Sequence, residues 1–295
     1  SSSSNVRSRE GEEAMPTEDL QENKRLCIGA VAVDEAPDDL ICSYESSLAM
    51  KAATPSEVIR SKWTEINKLD GFELFVRQDY DQRHQRRLMK VYEHTWVVGV
   101  KDSGELKARL TCCDYNDGEE VPGKFCPTPS SIAVRVFEAV SLIKGYHERH
   151  SDVVSAFPHA PEEADVFMQA PKEWMEAHGK TRAMGCWRLV RSLYGRRTAG
   201  GNFRDFFEKT VKEVKNTDFD RCPEEPCLYR DKISDVALLH HVDDEKTHGP
   251  DKLHDGILDE IERQLLTKRG DRMISGSKDQ YLGRTKYRFT TKDSD

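Results

Sequence analysis

The stretch VALLHHVDDE, residues 236–245, decides the reading of this chain. Its first seven residues have the pattern of a buried strand, and they run straight into three consecutive acids, Asp243, Asp244 and Glu245. Adjacent carboxylates repel one another unless a cation sits between them. Aspartate is also common in turns, so the dipeptide alone reads as a strand-to-turn boundary. Asp152 changes that reading. It enters an otherwise apolar, strand-like segment, HSDVVSAF at residues 150–157, which ends at Pro158. Carboxylates from two neighbouring strands converge on hard, oxygen-seeking ions such as Mg²⁺. Two such ions, roughly 4 Å apart, activate an attacking hydroxyl and stabilise the leaving oxygen of an in-line phosphoryl displacement.

Outward from this stretch, local signals give a series of elements. Thr54 is placed to cap a helix from Pro55 to Leu69, with Pro55 in its first turn and Gly71 ending it. Residues 95–101 (TWVVGVK) and 106–112 (LKARLTC) flank a glycine-containing turn and read as a β-hairpin. In its second strand Leu106, Ala108 and Leu110 share one face, and Lys107 and Arg109 the other. A helix is expected from Ser130 to Lys144, with Ile132, Val136, Ala139, Val140 and Ile143 at helical spacing. Strands are expected at residues 166–168 and 186–190, and a final strand region at 281–289. Further helices are expected at 202–214, where Phe203, Phe206, Phe207 and Val211 share a face, and at 251–266. Helices and strands alternate without a βαβ rhythm, which favours α+β.

Composition sets the bounds. The 295 residues suffice for one large domain or two modest ones. With 37% hydrophobic and 33% charged residues, no apolar run reaches the roughly 20 residues of a membrane span. No secretory signal pattern is present, so the eight cysteines read as reduced, intracellular thiols. A net charge of −8 excludes a uniformly basic nucleic-acid binder. Two basic islands stand against it: residues 83–90, and residues 180–204, which hold six arginines and no acid. Each suits a phosphate-lined groove or an ordinary solvated face. The polar first stretch, residues 1–54, carries only the short apolar run 26–33 and reads as poorly structured. Cys222 and Cys227, with His240, His241 and His254, offer a minor zinc alternative.

Six segments, in order, resemble the reverse transcriptase domain of copia-type (Ty1/copia) retrotransposon polyproteins. Residues 95–101 with 107–110 look like its fingers hairpin, and SDVVSAF (151–157) looks like its DVKTAF motif. VFMQAP (166–171) is similar to its VYMxQP strand, and RLVRSLYG (188–195) to its LYG motif. HVDD (241–244) sits at its YVDD position, and YLG (281–283) at its FLG segment. The resemblance implies reverse-transcriptase-like fingers and palm over residues 55–289, with a small antiparallel palm sheet backed by helices and a short tail at 290–295. It implies that Asp152, Asp243 and Asp244 are the catalytic carboxylates. With the backbone of Val153, these would hold two Mg²⁺ ions, or Mn²⁺ in their place. By the same resemblance Lys107, Arg109, Phe157, Leu193, Tyr194 and Gly195 would bind the nucleotide, and Tyr281, Leu282 and Gly283 the primer. The expected partners are an RNA or DNA template with its primer and deoxynucleoside triphosphates, with no membrane.

The chain departs from the family pattern at several points. His241 stands for the usual Tyr, Glu245 for an aliphatic residue, and TCCD (111–114) for the usual VAKG. The segment after Gly195 lacks the family's Pro and Trp. The rival expectation is therefore a decayed or domesticated module, inactive, that binds nucleic acid or serves a structural role.

Overall fold

Thr54 begins the first helix as expected. In a computed structural model its hydroxyl accepts from the Glu57 N–H while the Glu57 carboxylate accepts from the Thr54 N–H, a reciprocal capping box, and α1 runs Pro55–Gly71. The structure describes residues 44–45, 53–76 and 90–290, apart from 102, 116, 117, 119, 122 and 283. The apolar run 26–33, the basic residues 83–89, Cys27, Cys42 and the last five residues lie outside the described residues, as does nearly all of the expected N-terminal segment.

The hairpin forms where the sequence put it. β4 (His94–Val100) and β5 (Leu106–Cys112) pair antiparallel from His94↔Cys112 to Val100↔Leu106, and β1 (Tyr44–Glu45) adds to β4 in parallel. Ala108 and Leu110 face inward onto α1, while Lys107 and Arg109 are exposed. A second sheet lies alongside, in the order β2 (Phe75–Val76), β8 (Cys186–Arg191), β7 (Pro161–Gln169), β3 (Val91–Tyr92). These elements enclose one core, in which Phe75 stacks on Trp187 at 3.9 Å and Trp96, Leu69, Leu74, Met168 and Leu193 are buried. The short α4 (Lys172–Ala177) closes its edge through Met175 and Trp174.

The decisive stretch builds the largest sheet. Six strands run in the order β13 (Thr267–Arg269), β6 (Arg149–Val153), β12 (Asp244–His248), β11 (Ala237–His241), β10 (Leu228–Asp231), β9 (Phe219–Arg221), and every pairing is antiparallel. One face packs on α5 (Ala199–Lys212) and α6 (Asp251–Glu262). Phe203, Phe207, Val211, Ile257 and Ile261 meet Val153, Tyr229 and Leu238 there. The opposite face meets α2 (Ser131–Ile143) and the hairpin β14 (Lys278–Tyr281)–β15 (Arg284–Tyr287). There Val134, Phe137 and Tyr281 pack on Ala237 and Leu239. The result is mixed α and β, with small antiparallel sheets and helices against them.

Several expectations need correction. The 281–289 strand region is a two-stranded hairpin that begins earlier, because Leu282, at φ 45°, turns the chain. The strand through Asp152 stops at Val153. Ser155 adopts left-handed backbone and starts the one-turn helix α3 (Ala156–His159), so Phe157 and Pro158 are helical. In α2 the buried positions are Val134, Phe137 and Ser141, while Ile132, Val136 and Ile143 are exposed. The apolar period there was real, but it marks the outer face. Among the described residues, no helix is long and apolar enough to cross a membrane.

Candidate active site

The turn between β11 and β12 sets the geometry of the acids. His241 pairs with Asp244, which leaves Val242 and Asp243 as a two-residue loop. Val242 takes φ 53° while Asp243 does not turn positive, the pattern of a hairpin turn that usually calls for glycine at its first position. A β-branched residue there is strained, and the packing of Val242 against the α5–α6 core holds it in place. Asp243 is thereby presented at the tip, exposed.

β6 brings the third acid alongside. Asp152 is the register partner of Asp244, and the Val153 N–H donates to the Asp243 carbonyl at 2.7 Å. Opposite residues of an antiparallel pair share a face, so Asp152 and Asp244 project to the same side of the sheet, away from α5 and α6. Burial pushes the Asp152 carboxyl above its ordinary range, and the charges of Asp243 and Asp244 push it further; Lys268, its register partner on β13, and His150 oppose this. Val153 itself is buried in the core.

The residues expected at the nucleotide gather around Tyr194. Its backbone carbonyl accepts from the Cys112 N–H at 2.7 Å, which ties the turn after β8 to the end of β5. The Arg109 guanidinium lies 5.6 Å from the Tyr194 ring, and Phe157 meets it edge-on at 5.2 Å. Burial raises the Tyr194 pKa, while a hydrogen bond with Ser155 and the nearby Arg109 act against that. Gly195, at φ 82°, is required: a Cβ there would lie 2.2 Å from the Cys112 carbonyl oxygen. Leu193 is fully buried beneath. Lys107 stands apart, on the groove between α1 and the hairpin that also holds Arg60, Lys68 and Lys101. Burial lowers its pKa, and the charges of Arg109, Lys68 and Lys101 lower it further.

Tyr281 and Leu282 lie against the acid-bearing face of the sheet, and Gly283 is outside the described residues. The Tyr281 hydroxyl reaches the Leu239 carbonyl at 3.4 Å, and burial drives its pKa upward.

Sequence reasoning missed the charged lattice under this face. Lys246, 1% exposed, lies 2.9 Å from Glu138, 3.1 Å from Asp279 and 3.7 Å from Glu148. Lys286 adds a second cation, 2.7 Å from the same buried Glu148. His150 bridges Asp244 and Asp279, and hydrogen bonds to those two carboxylates push its pKa up to about 9. The available signal was alternation: His150 with Asp152, and Asp244 with Lys246, lie two apart on strands and share a face. On the opposite face Glu245 is buried with one oxygen unpartnered, and burial raises its pKa to about 7.

Several arginines of the island at residues 180–204 are engaged by groups elsewhere in the fold. Arg196 is 2.6 Å from Asp114 and 3.3 Å from Glu162, Arg188 is 2.7 Å from Asp165, and Arg191 donates to the His159 carbonyl. The residues of the zinc alternative do not meet: His254 bonds to Thr247, His241 to the Pro127 carbonyl, and His240 stacks on Phe207. No group of three or more His, Cys, Asp or Glu side chains among the described residues is set to hold a metal ion, the three aspartates included.

The family model for reverse transcriptase (RNA-dependent DNA polymerase) matches residues 80–283. A retrovirus-related Pol polyprotein from transposon TNT 1-94 of Nicotiana tabacum is 28% identical over 198 residues, which is 64% of this chain and 14% of that polyprotein. The chain thus spans a small part of the relative's length. The matched span holds the hairpin, the paired strands with their aspartates and the Tyr194 turn, and the chain belongs to the reverse transcriptase (RNA-dependent DNA polymerase) family.

Proposed function

We propose that the chain is the fingers and palm of a copia-type RNA-directed DNA polymerase, over residues 55–289. In this reading it extends a primer 3′-hydroxyl with deoxynucleotides copied from an RNA or DNA template. The observation that carries it is the pairing of Asp152 with Asp244 across β6 and β12, with Asp243 at the adjoining turn. The donor set suits Mg²⁺, since all of its atoms are hard carboxylate or carbonyl oxygens. Burial first, and then the charges of Asp243 and Asp244, raise the Asp152 pKa, and a divalent cation would relieve that repulsion. Asp152 and Asp243 would be the main ligands, with Asp244 and the Val153 carbonyl completing the set. When bound, the metal supplies the charge that activates the primer hydroxyl and steadies the departing pyrophosphate.

The chain's own groups would do the positioning. Arg109, held beside Tyr194, would contact the triphosphate, and Lys107, on the same exposed strand face, would add a second cation. Phe157, wedged against Tyr194 and Phe203, would close the floor beneath the sugar and disfavour a 2′-hydroxyl. Leu193 and Gly195 would border the pocket, while Tyr281, Leu282 and Gly283 would support the primer end.

Primer extension on poly-rA with oligo-dT and Mg²⁺, comparing the parent with Asp243→Asn, tests this directly. The parent extends and the variant does not. A folded parent with no extension removes the activity and leaves the inactive, nucleic-acid-binding module as the reading.

A further inference from the structure

The groove between α1 and the β4–β5 hairpin has none of the three aspartates, Arg109 or Tyr194 in its walls. It encloses about 770 Å³, the size of a small-molecule site. Its α1 wall is polar. Ser61, Glu65 and Lys68 follow at i, i+4 and i+7 and so share one face of the helix. Ser61 is 9% exposed and Glu65 4%. Lys68 holds Glu65 Oε2 at 3.0 Å, while Glu65 Oε1 and Ser61 Oγ are buried without a hydrogen-bond partner. A buried oxygen left unsatisfied costs free energy, a carboxylate more than a hydroxyl. Two of them, one helical turn apart in the wall of a groove, suit a ligand that brings hydroxyl groups.

The same groove favours an anion. Arg60 and Lys68 stand on its helix side, and Lys101 and Lys107 on its hairpin side. Its acids are already engaged: Glu105 by Lys101, Glu57 by the Thr54 cap, and Glu65 by Lys68. Burial lowers the Lys107 pKa, and the like charges of Arg109, Lys68 and Lys101 lower it further, a repulsion that a bound anion would relieve.

We propose that this groove is a second nucleotide site, which takes a ribonucleoside phosphate. The 2′-hydroxyl donates to Glu65 Oε1, O3′ meets the Ser61 hydroxyl, and the phosphate lies between Arg60 and Lys107. A carboxylate is a recurrent partner of the ribose 2′-hydroxyl, the group by which a protein tells a ribonucleotide from a deoxynucleotide. Inorganic phosphate or a deoxynucleotide would satisfy the cations and leave the Glu65 oxygen bare. The ligand is either a free ribonucleotide or one unit of an RNA strand. The proposal uses no metal ion, so it stands or falls separately from the polymerase reading.

The test is isothermal titration calorimetry on the full chain in EDTA, so that no divalent ion loads the aspartates. Adenosine 5′-monophosphate, its 2′-deoxy counterpart and a riboadenylate hexamer are titrated into the parent, Arg60→Gln, Ser61→Ala and Glu65→Gln. The parent should bind the ribonucleotide about tenfold more tightly than the deoxynucleotide, the worth of one hydrogen bond to a charged acceptor. Glu65→Gln should cut that preference to about threefold or less, because the acceptor loses its charge. Ser61→Ala and Arg60→Gln should weaken both mononucleotides by about threefold or more and keep the preference. A merely structural role for Glu65 would weaken both nucleotides alike, so the ratio is the deciding readout. Ser61→Ala should also melt no lower than the parent, since it deletes an unpartnered buried hydroxyl. A hexamer that binds more tightly than the mononucleotide, with the same dependence on Ser61 and Glu65, makes the ligand an RNA strand. A hexamer that binds no more tightly makes it a free nucleotide, and either result supports the site. No saturable ribonucleotide binding by the parent overturns the proposal. So does equal binding of the two mononucleotides, an undiminished preference in Glu65→Gln, or unchanged binding in Ser61→Ala.

Discussion

Lys246→Met removes the cation at the centre of the buried lattice while keeping an unbranched side chain only one atom shorter. Lys246 is 1% exposed and lies among Glu138, Glu148 and Asp279. Burial works against its charge, but the three carboxylates prevail and hold its pKa above the ordinary lysine value. Breaking a buried ion pair by deleting one partner costs about 3–5 kcal/mol, because the other charge stays buried. Here the cost sits near the lower end, about 3 kcal/mol. Lys286 still covers Glu148 at 2.7 Å and Glu138 at 3.5 Å, and His150 still covers Asp279. The assay is urea unfolding of the metal-free protein, followed by far-ultraviolet circular dichroism, with the slope unchanged and the midpoint lowered. Adding Glu148→Gln to Lys246→Met restores about 1–2 kcal/mol, a coupling read from the double-mutant cycle. A single-variant cost below about 1 kcal/mol, or strict additivity in the cycle, would refute the claim that these charges act as one buried unit.

Three other outcomes follow from the same geometry. Burial lowers the pKa of His240 to about 3, and of His248 and His254 to about 4, so the folded chain binds fewer protons than the unfolded chain between those values and about 6.5. The contribution of these three neutral rings to stability is therefore full above pH 6.5 and falls as the solution is acidified; His240→Leu should flatten that acid slope of the unfolding free energy by up to about 1.4 kcal/mol per pH unit, and an unaltered slope counts against a neutral buried ring. Gly195→Ala should destabilise by about 2–4 kcal/mol, since its Cβ meets the Cys112 carbonyl; a variant as stable as the parent in thermal unfolding would mean the seam gives way without cost. Asp152→Asn should abolish primer extension yet slightly raise the metal-free melting temperature, because it deletes one of three repelling acids; a lowered melting temperature would place Asp152 in a structural role.

Where local signals were strong, the fold was legible. The Thr54 cap, the glycine turn of β4–β5 and the alternation in β5 are nearest-neighbour effects, and each formed within a residue or two of its expected place. Short strands were not legible. β9, β10 and β13 have only three or four residues each and are strands because of their ladder partners, not their own pattern. The face of α2 was misread for a related reason. Its apolar residues surround most of the helix, and the sheet selects Val134 and Phe137, leaving Ile132 and Val136 outside. At the site, the six ordered motifs gave the aspartates and Tyr194 together. The partners of Lys246 and His150 come from positions 138, 148, 244 and 279, so their meeting depends on tertiary pairing that spacing does not record.

The seam at Gly195 has a mechanical meaning. The Cys112 N–H to Tyr194 carbonyl bond and the bare Cα of Gly195 bring two backbones into direct contact, with no side chain between them to absorb displacement. Side-chain layers deform by rotamer changes, whereas a backbone-to-backbone contact transmits a push nearly undiminished. A tilt of the β4–β5 hairpin is thus delivered to the Tyr194 ring, and from there to Phe157, which rests on it. The hairpin serves as a lever, its fulcrum is a residue chosen for having no bulk, and the load at its short end is the floor of the proposed nucleotide pocket.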